Sequence, residues 1–200
     1  VIGLEFASVF KSFGSEVTVV EYMKECLPPY DQDISRRVRK AMEKRGIKFV
    51  MQAGVSRIAT TDGLLEVNYE CKGKAGQAVA DIVLVATGRE ADSGGLGLEA
   101  IGVVTERGCI TVDDNMRTNI DGIYAIGDVN GRCMLAHAAI MQGMRCVNCI
   151  IGKPDDIRLD VMPSAVFTNP EAASVGLTEA QCRDAGLDYS VRKTPFRANG

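Results

Sequence analysis

The opening stretch, VIGLEFASVFKSFGSEVTVVE, constrains the fold of this chain more than any other segment. Its apolar residues recur at the three- and four-residue spacing of an amphipathic helix: Ile2, Phe6, Val9, Phe10 and Phe13. Gly14 stands where helices commonly end in the left-handed conformation, and EVTVVE at 16–21 is typical of a short buried strand. The stretch therefore predicts a helix, a turn and a strand, in that order.

The same pattern repeats further along the chain. After a Pro-Pro break, Asp31 can cap a second helix that ends at Gly46, and IKFVMQ at 47–52 follows as another strand. Strands that alternate with helices favour a parallel sheet with helices on its faces, which is the α/β class. Between residues 55 and 86 the runs VSRIATT, LLEVNYE and AVADIVLVA, separated by turn signals, predict antiparallel strands appended to that sheet.

Two further segments follow this unit. In the first, a glycine-rich stretch leads to the strands CITV and IYAIGD and then to a helix that begins near Leu135. The second contains the runs AVF and AASVGL, a short helix from Thr178 and a last strand, YSVRKTPF. We therefore predict a domain organisation in three parts, with boundaries at 1–91, 92–159 and 160–200.

Charge and hydropathy argue against several classes of function. The 26 acidic and 23 basic residues are spread along the chain and give a net charge of -3, so no basic stripe indicates binding to nucleic acid or to a membrane surface. The longest apolar runs, such as IVLVA at 82–86, are far shorter than the roughly 18–20 residues that span a bilayer. No signal peptide is visible, and a start upstream of Val1 would lie outside this sequence.

The chain contains seven cysteines, an odd number without the density of a secreted disulfide scaffold, and this favours a reducing, cytoplasmic location. Cys146 and Cys149 match C-x-x-C, which is compatible with a zinc or thioredoxin-like centre. The pair lies inside the predicted helix, however, with no second pair and no histidine at metal-ligand spacing. We favour buried structural cysteines over a redox or metal site.

Gly3, Ala7 and Glu21 have the spacing of a dinucleotide-binding unit. In such a unit a third glycine lets the helix lie close to its strand, and an acid at the end of the second strand binds the ribose hydroxyls. Gly3 can only be that third glycine, so we expect this chain to lack the first strand and the other glycines of the loop. Glu21 would repel a 2'-phosphate, which favours NAD over NADP. Spacing alone leaves a second interpretation open, in which Gly3 serves helix packing and Glu21 is a solvated strand end.

Five blocks extend this interpretation, because they occur in the order typical of one family and cover nearly the whole chain. They are the opening stretch, ADIVLVATGRE, the region from GLGLEAIGV through AIGDV, MLAHAA, and MPSAVFTNPEAASVGLTEAQ. Together they resemble the pyridine nucleotide-disulfide oxidoreductases, most closely the dihydrolipoamide dehydrogenase branch. The resemblance implies a Rossmann-like FAD/NAD(P)-binding fold of three layers. It also implies that the three predicted parts are an NAD domain, the returning FAD segment and the start of an α+β dimerisation domain.

The resemblance also implies an NAD site. Gly3 would close the glycine motif, Glu5 would approach the nicotinamide, and Glu21 would bind the ribose. Val55 would lie beside the adenosine, and Gly88 of the ATGR block would meet the NAD, since a glycine lets backbone N–H groups approach a ligand. An exposed helix charge remains the alternative for Glu5.

A flavin site is implied in the second part. Gly127 and Asp128 resemble the second flavin motif, whose aspartate binds the ribityl chain of FAD, although a strand that ends in Gly-Asp is also a common turn. The block MLAH resembles the start of a helix whose first N–H groups face the flavin: Met134, Leu135, Ala136 and His137. His137 is the only histidine, and we favour a backbone contact with a packed or hydrated side chain over a general base.

The sequence departs from the family at several positions. Glu90, Ala91 and Asp92 follow ATGR in place of the usual proline and asparagine, and Met141 and Gln142 stand where dihydrolipoamide dehydrogenases often carry two acids. The family's redox cysteine pair and His-Glu pair do not occur in this sequence. We therefore assign no catalytic residue and expect the chain itself to be inactive.

For the parent protein, the resemblance implies reoxidation of dihydrolipoamide by NAD through FAD and a redox disulfide. The implied partners are a second copy, as a homodimer, and a 2-oxo acid dehydrogenase complex. Two alternatives remain open: a non-catalytic nucleotide-binding module, or another member of the family, such as mercuric reductase, glutathione reductase or NADH oxidase.

Overall fold

A computed structural model gives the structure of the chain and describes residues 1–196. The α-helices are α1 Ile2–Ser12, α2 Gln32–Lys44, α3 Ala136–Ile150 and α4 Glu179–Asp184, and short 3-10 helices cover Leu98–Ile101 and Gly127–Asn130. The strands are β1 Thr18–Glu21, β2 Lys48–Met51, β3 Ala53–Thr61, β4 Leu64–Cys71, β5 Lys74–Ala80, β6 Thr105–Glu106, β7 Cys109–Ile110, β8 Ser164–Val166 and β9 Ala172–Ser174.

The chain forms two compact units. The first unit consists of Val1–Ala86 together with the chain from Ala165 onward, and the second unit consists of Thr87–Ser164. The first unit is therefore discontinuous in sequence, because a later segment returns to complete it. The three-part domain organisation predicted from the sequence stays a prediction.

The first unit is centred on a parallel pair of strands. β1 and β2 run parallel, with Val19 opposite Phe49, so the predicted parallel pairing is confirmed. Their helices cover them through a core that draws on both helices and on the returning segment: Leu4, Ala7, Cys26, Leu27, Tyr30, Val38, Met42, Ile47 and Val166. Burial of this apolar surface, at about 25 cal/mol per Å², is the main stabilising contribution to the unit.

Helix α2 follows from its sequence pattern. Its apolar residues fall on one face, where Val38 and Met42 are buried, and Gly46 follows in the left-handed conformation with φ of +88°. Asp31 precedes the helix as predicted, but its carboxylate makes no capping bond to α2. Its Oδ1 instead accepts a hydrogen bond from the N–H of Glu179 at 2.9 Å. The predicted cap thus joins α2 to the start of α4.

The antiparallel sheet has the order β3-β4-β5. Asp62-Gly63 and Lys72-Gly73 form its two hairpin turns with positive φ at both residues, which matches the right-handed twist of the strands. The third predicted strand, AVADIVLVA, is only partly formed, because β5 ends at Ala80. Residues 82–86 belong to no strand, and Ile82, Leu84 and Val85 are exposed. A strand requires a partner backbone, and no described residue pairs with this stretch.

The returning segment is anchored in the core of the first unit by Val166, which is fully buried. The helix predicted from Thr178 forms as α4, and Thr178 and Gln181 make a reciprocal capping box at its start. The predicted strand YSVRKTPF is wrong over 189–195, where the described backbone has no regular structure; residues 197–200 lie outside the described part of the chain.

The second unit is built around α3, which matches the predicted helix to within one residue at each end. CITV forms only the two residues of β7, paired with β6, and IYAIGD is not a strand. Its Tyr124 makes an isolated bridge with Arg117, and Gly127 begins a 3-10 helix. A small apolar cluster holds these loops together: Leu98, Val103, Ile110 and Ala125.

Candidate functional site

The amino end of α1 lies close to the extended stretch 82–86. A Cβ built on Gly3 would lie 3.1 Å from the Cβ of Ala86, closer than most real contacts, so a side chain there would push the helix away. Gly3 was predicted to let α1 lie close to the first strand of a dinucleotide-binding unit; its neighbour here is the stretch 82–86, which is not a strand, so that role stays a prediction. The first N–H groups of a helix have no partner within it, and together with the helix dipole they favour an anion at this end.

Glu5, predicted to approach the nicotinamide, has a protein partner in this structure. Its Oε1 accepts a hydrogen bond from the N–H of Phe167 at 2.9 Å. One turn further, the hydroxyl of Ser8 accepts a hydrogen bond from the N–H of Asn169 at 3.2 Å. The same face of α1 therefore holds the returning segment, a contact that the sequence analysis did not predict.

Glu21 is the last residue of β1, as predicted. Its Oε1 accepts a hydrogen bond from the N–H of Met23 at 2.8 Å, which leaves Oε2 without a protein partner among the described contacts. A cavity of about 620 Å³ begins at the next residue. Its wall combines backbone, aromatic and polar groups: Tyr22, Met23, Lys24, Glu25, Cys26, Leu27, Pro28, Tyr30, Gln32, Ser35 and Gln52.

The far side of this cavity is shaped by a tight turn between β2 and β3. Gln52 has φ of +56° and donates its N–H to the carbonyl of Met23 at 3.2 Å. The ring of Tyr22 lies against Gly54, where an added Cβ would be 3.6 Å from it. Val55, predicted beside the adenosine, is exposed on β3 and is not part of the cavity wall.

An ion pair stiffens the cavity wall. Arg39 Nε donates to Glu25 Oε1 at 2.7 Å, and Arg39 also reaches Glu43 at 2.6 Å. Burial raises the pKa of Glu25, but the hydrogen bonds from Arg39 and the N–H of Cys26 outweigh it, so this pKa lies below its usual value. Burial raises the pKa of the neighbouring Cys26 to about 12. This thiol is thus a packing group and not a nucleophile.

The predicted flavin motif lies in the second unit. Gly127 is buried with φ of +75°, a backbone that other residues rarely adopt, and its N–H donates to Gln142 Oε1 at 2.7 Å. Asp128 follows with a partly exposed carboxylate that accepts a hydrogen bond from Arg89 at 2.5 Å. Gly88, adjacent to Arg89, has φ of +138° and open space where a Cβ would point. Gly88 belongs to the same unit as the predicted flavin motif, and its predicted contact with NAD stays a prediction.

The block MLAH leads into α3. Met134 and Leu135 are half-buried, and the helix begins at Ala136. His137 is exposed and its Nε2–H donates to the carbonyl of Pro163 at 2.7 Å. This side chain contacts backbone, and its ring nitrogen fixes the chain that enters β8.

Two buried residues at this site were missed by the sequence analysis as functional groups. Gln142 and Asn130 hydrogen bond to each other and to the backbone around Gly127. The sequence analysis noted Gln142 only as a departure from the family; an amide on an otherwise apolar helix face is the signal that could have indicated a buried hydrogen-bonding role. Within residues 1–196, no three His, Cys, Asp or Glu side chains are grouped to hold a metal ion. No helix in that range has the length and apolar character to cross a membrane.

Two family models match the chain. The model described as "Pyridine nucleotide-disulphide oxidoreductase" matches residues 1–143, and that of the dimerisation domain of the same proteins matches residues 162–200.

Curated relatives match over the full chain. The chain is 44% identical to a dihydrolipoyl dehydrogenase of Rhizobium etli over 100% of the chain and 42% of the relative. It is 43% identical to a leghemoglobin reductase of Glycine max, over 99% of the chain and 38% of the relative. A mitochondrial dihydrolipoyl dehydrogenase of Pisum sativum is 42% identical over 99% of the chain and 40% of that protein. The chain thus spans less than half the length of these relatives.

Solved structures agree with these matches. The HOCl-induced flavoprotein disulfide reductase RclA from Escherichia coli superposes with a TM-score of 0.81 at 32% identity, over 94% of this chain and 43% of the other. LpdA from Mycobacterium tuberculosis superposes with a TM-score of 0.82 at 32% identity, over 92% of this chain and 40% of the LpdA chain. These likenesses confirm the predicted Rossmann-like α/β fold.

Proposed function

Because the chain belongs to the pyridine nucleotide-disulphide oxidoreductase family, as predicted, we propose that it is the NAD-binding and flavin-completing part of a dihydrolipoyl dehydrogenase. In the whole protein, dihydrolipoamide would be reoxidised by NAD through FAD and a redox disulfide. This chain would contribute binding surfaces to that reaction and no nucleophile or base. By itself it would not turn over dihydrolipoamide.

The observation that carries the proposal is the position of Glu21. It ends the parallel strand β1 one residue before Tyr22, where the wall of the cavity of about 620 Å³ begins, and its Oε2 has no partner among the described hydrogen bonds. Two vicinal ribose hydroxyls are donors that fit such a carboxylate, whereas a 2'-phosphate would meet like charge. The first N–H groups of α1, which begins at Ile2, could donate to a phosphate of the nucleotide. We therefore propose NAD and not NADP as the nucleotide.

The second unit fits a flavin at Asp128. Its carboxylate is partly exposed at the start of a 3-10 helix, with Arg89 as its one contact among the described hydrogen bonds. A ribityl hydroxyl could donate to the same carboxylate, and α3 presents its amino end at Ala136. When bound, FAD would supply the electron-pair transfer to NAD.

Calorimetric titration of the chain with NADH and NADPH tests the nucleotide assignment. We expect NADH to bind at least tenfold more tightly than NADPH, and Glu21→Gln to remove most of that preference. Glu16→Gln is the matched control, because it makes the same chemical change at an exposed acid. The Glu16 carboxylate lies 3.8 Å from the ammonium group of Lys48. Equal affinities for the two nucleotides, or equal effects of the two substitutions, would refute the assignment.

We also propose that the parent protein is a homodimer that joins a 2-oxo acid dehydrogenase complex, supported by the dimerisation-domain match at 162–200. Copurification of the parent protein with a 2-oxo acid dehydrogenase tests the second part. The cytoplasmic location stays a prediction, since relatives include mitochondrial forms.

A further inference from the structure

The side chain of Gln142 is almost fully buried, and its carbonyl oxygen is used twice. Only 2% of the residue is exposed. Oε1 accepts the N–H of Gly127 at 2.7 Å and the Nδ2–H of Asn130 at 2.8 Å. An amide oxygen has two lone pairs, so both are satisfied by this one turn of the chain. A helix side chain thus holds the backbone around the flavin motif.

The conformation of the turn at Gly127 is restricted by its packing against α3 and by its positive φ. Gly127 lies against α3, where an added Cβ would be 3.2 Å from the Cβ of Ala139, and its positive φ excludes most residues. Asn130 extends the attachment, since its Nδ2 also donates to the carbonyl of Ala125 at 3.1 Å and its Oδ1 accepts the N–H of Arg132 at 3.0 Å.

Asp128 is flanked by these two attachments, one residue after Gly127 and two before Asn130. Its carboxylate makes no contact with Gln142 in the described hydrogen bonds and is held in place through backbone. Removing the Gln142 oxygen would leave two buried N–H donors unpaired, which is costly enough to make the turn rearrange. The orientation of the carboxylate would then change with it.

We propose that Gln142 is a positioning residue, which fixes the Gly127–Asp128 turn so that the Asp128 carboxylate is preset for a ribityl hydroxyl of the flavin. This inference rests on the proposed flavin-binding function.

Three variants of the chain separate the possibilities. Gln142→Met keeps the size of the side chain and removes the acceptor, whereas Gln142→Glu keeps an acceptor for both N–H groups. Gln77→Met makes the same chemical change at an exposed position of β5 and serves as the control. For each variant we would measure the hydrogen exchange of the Gly127 amide by NMR without flavin, and then the FAD dissociation constant by flavin fluorescence.

We expect Gln142→Met to speed Gly127 exchange at least tenfold and to weaken FAD binding at least tenfold. Gln142→Glu should stay within about threefold of the unchanged chain in both measurements. Gln77→Met should give the same values as the unchanged chain. Unchanged Gly127 exchange in Gln142→Met would overturn the inference. So would loss of the folded state in both Gln142 variants, which would mean a purely structural role.

The flavin measurement distinguishes the inference from the function on which it rests. Faster Gly127 exchange with unchanged FAD affinity would overturn the positioning role and leave the proposed function intact. If the unsubstituted chain does not bind FAD, flavin binding by this chain fails, and the exchange data alone then decide whether Gln142 fixes the turn.

Discussion

Replacing Val166 by alanine tests whether the returning segment is an integral part of the first unit. Val166 is fully buried and packs into the core with residues of α1 and α2. The substitution removes two methyl groups, each worth about 0.8 kcal/mol of transfer free energy. The cavity left behind adds to this loss because the surrounding core relaxes only partly, so we expect a destabilisation of about 2–3 kcal/mol.

The assay should report on the first unit alone, since the two units need not unfold together. Native-state hydrogen exchange at the buried amides of Val38 and Met42 in α2 meets this need. A loss of about 2–3 kcal/mol corresponds to exchange that is roughly 30- to 160-fold faster. Phe167→Ala is the control, because the adjacent Phe167 is 71% exposed, and it should change exchange less than threefold. A Val166→Ala effect no larger than that of the control would refute the reasoning.

Three further predictions concern the same unit. Met42→Ala should lower the free energy of unfolding by about 2–5 kcal/mol in urea titration, because Met42 has no exposed surface. The pKa of Glu25 is lowered from its usual 4.5, so its pairing with Arg39 stabilises the fold above that pH and ceases to do so as the pH falls through the folded-state value. The destabilisation by Glu25→Gln, measured by urea titration, should therefore be largest near neutral pH and vanish in acid; a pH-independent effect would contradict this. Mass spectrometry after alkylation at pH 8 should find Cys26 unmodified in the folded chain while the more exposed Cys182 reacts, because the pKa of Cys26 is about 12.

The elements that could be predicted from the sequence are those whose signals are local. Helix α2 carries its own apolar face and is followed by Gly46 in the left-handed conformation, so its extent was predicted to within two residues. The hairpin turn at Asp62-Gly63 was also predicted from the sequence, and both residues adopt the positive φ that this turn requires. The segments 82–86 and 123–128 have strand-like composition, yet a strand exists only where a partner backbone is present.

The residues of the candidate site also fall into two groups, those marked by a local motif and those brought together only by packing. Glu21 and the Gly127–Asp128 pair could be proposed from the sequence because a few adjacent residues define each motif, and their binding roles stay predictions. The contact of Glu5 with Phe167 joins residues far apart in the chain, and no spacing rule predicts it. The role of Gln142 depends on which face of α3 meets the turn, a property of packing and not of sequence distance.

The discontinuity of the first unit has a consequence for the order of folding during synthesis. Val166, which fills the core beside α1 and α2, leaves the ribosome only after all of Thr87–Ser164 has been made. At about 5–20 residues per second this is a delay of several seconds. During that time the early part of the first unit has an unfilled core, while the second unit is still being synthesised. The core of the first unit is therefore completed only when the returning segment with Val166 has been synthesised.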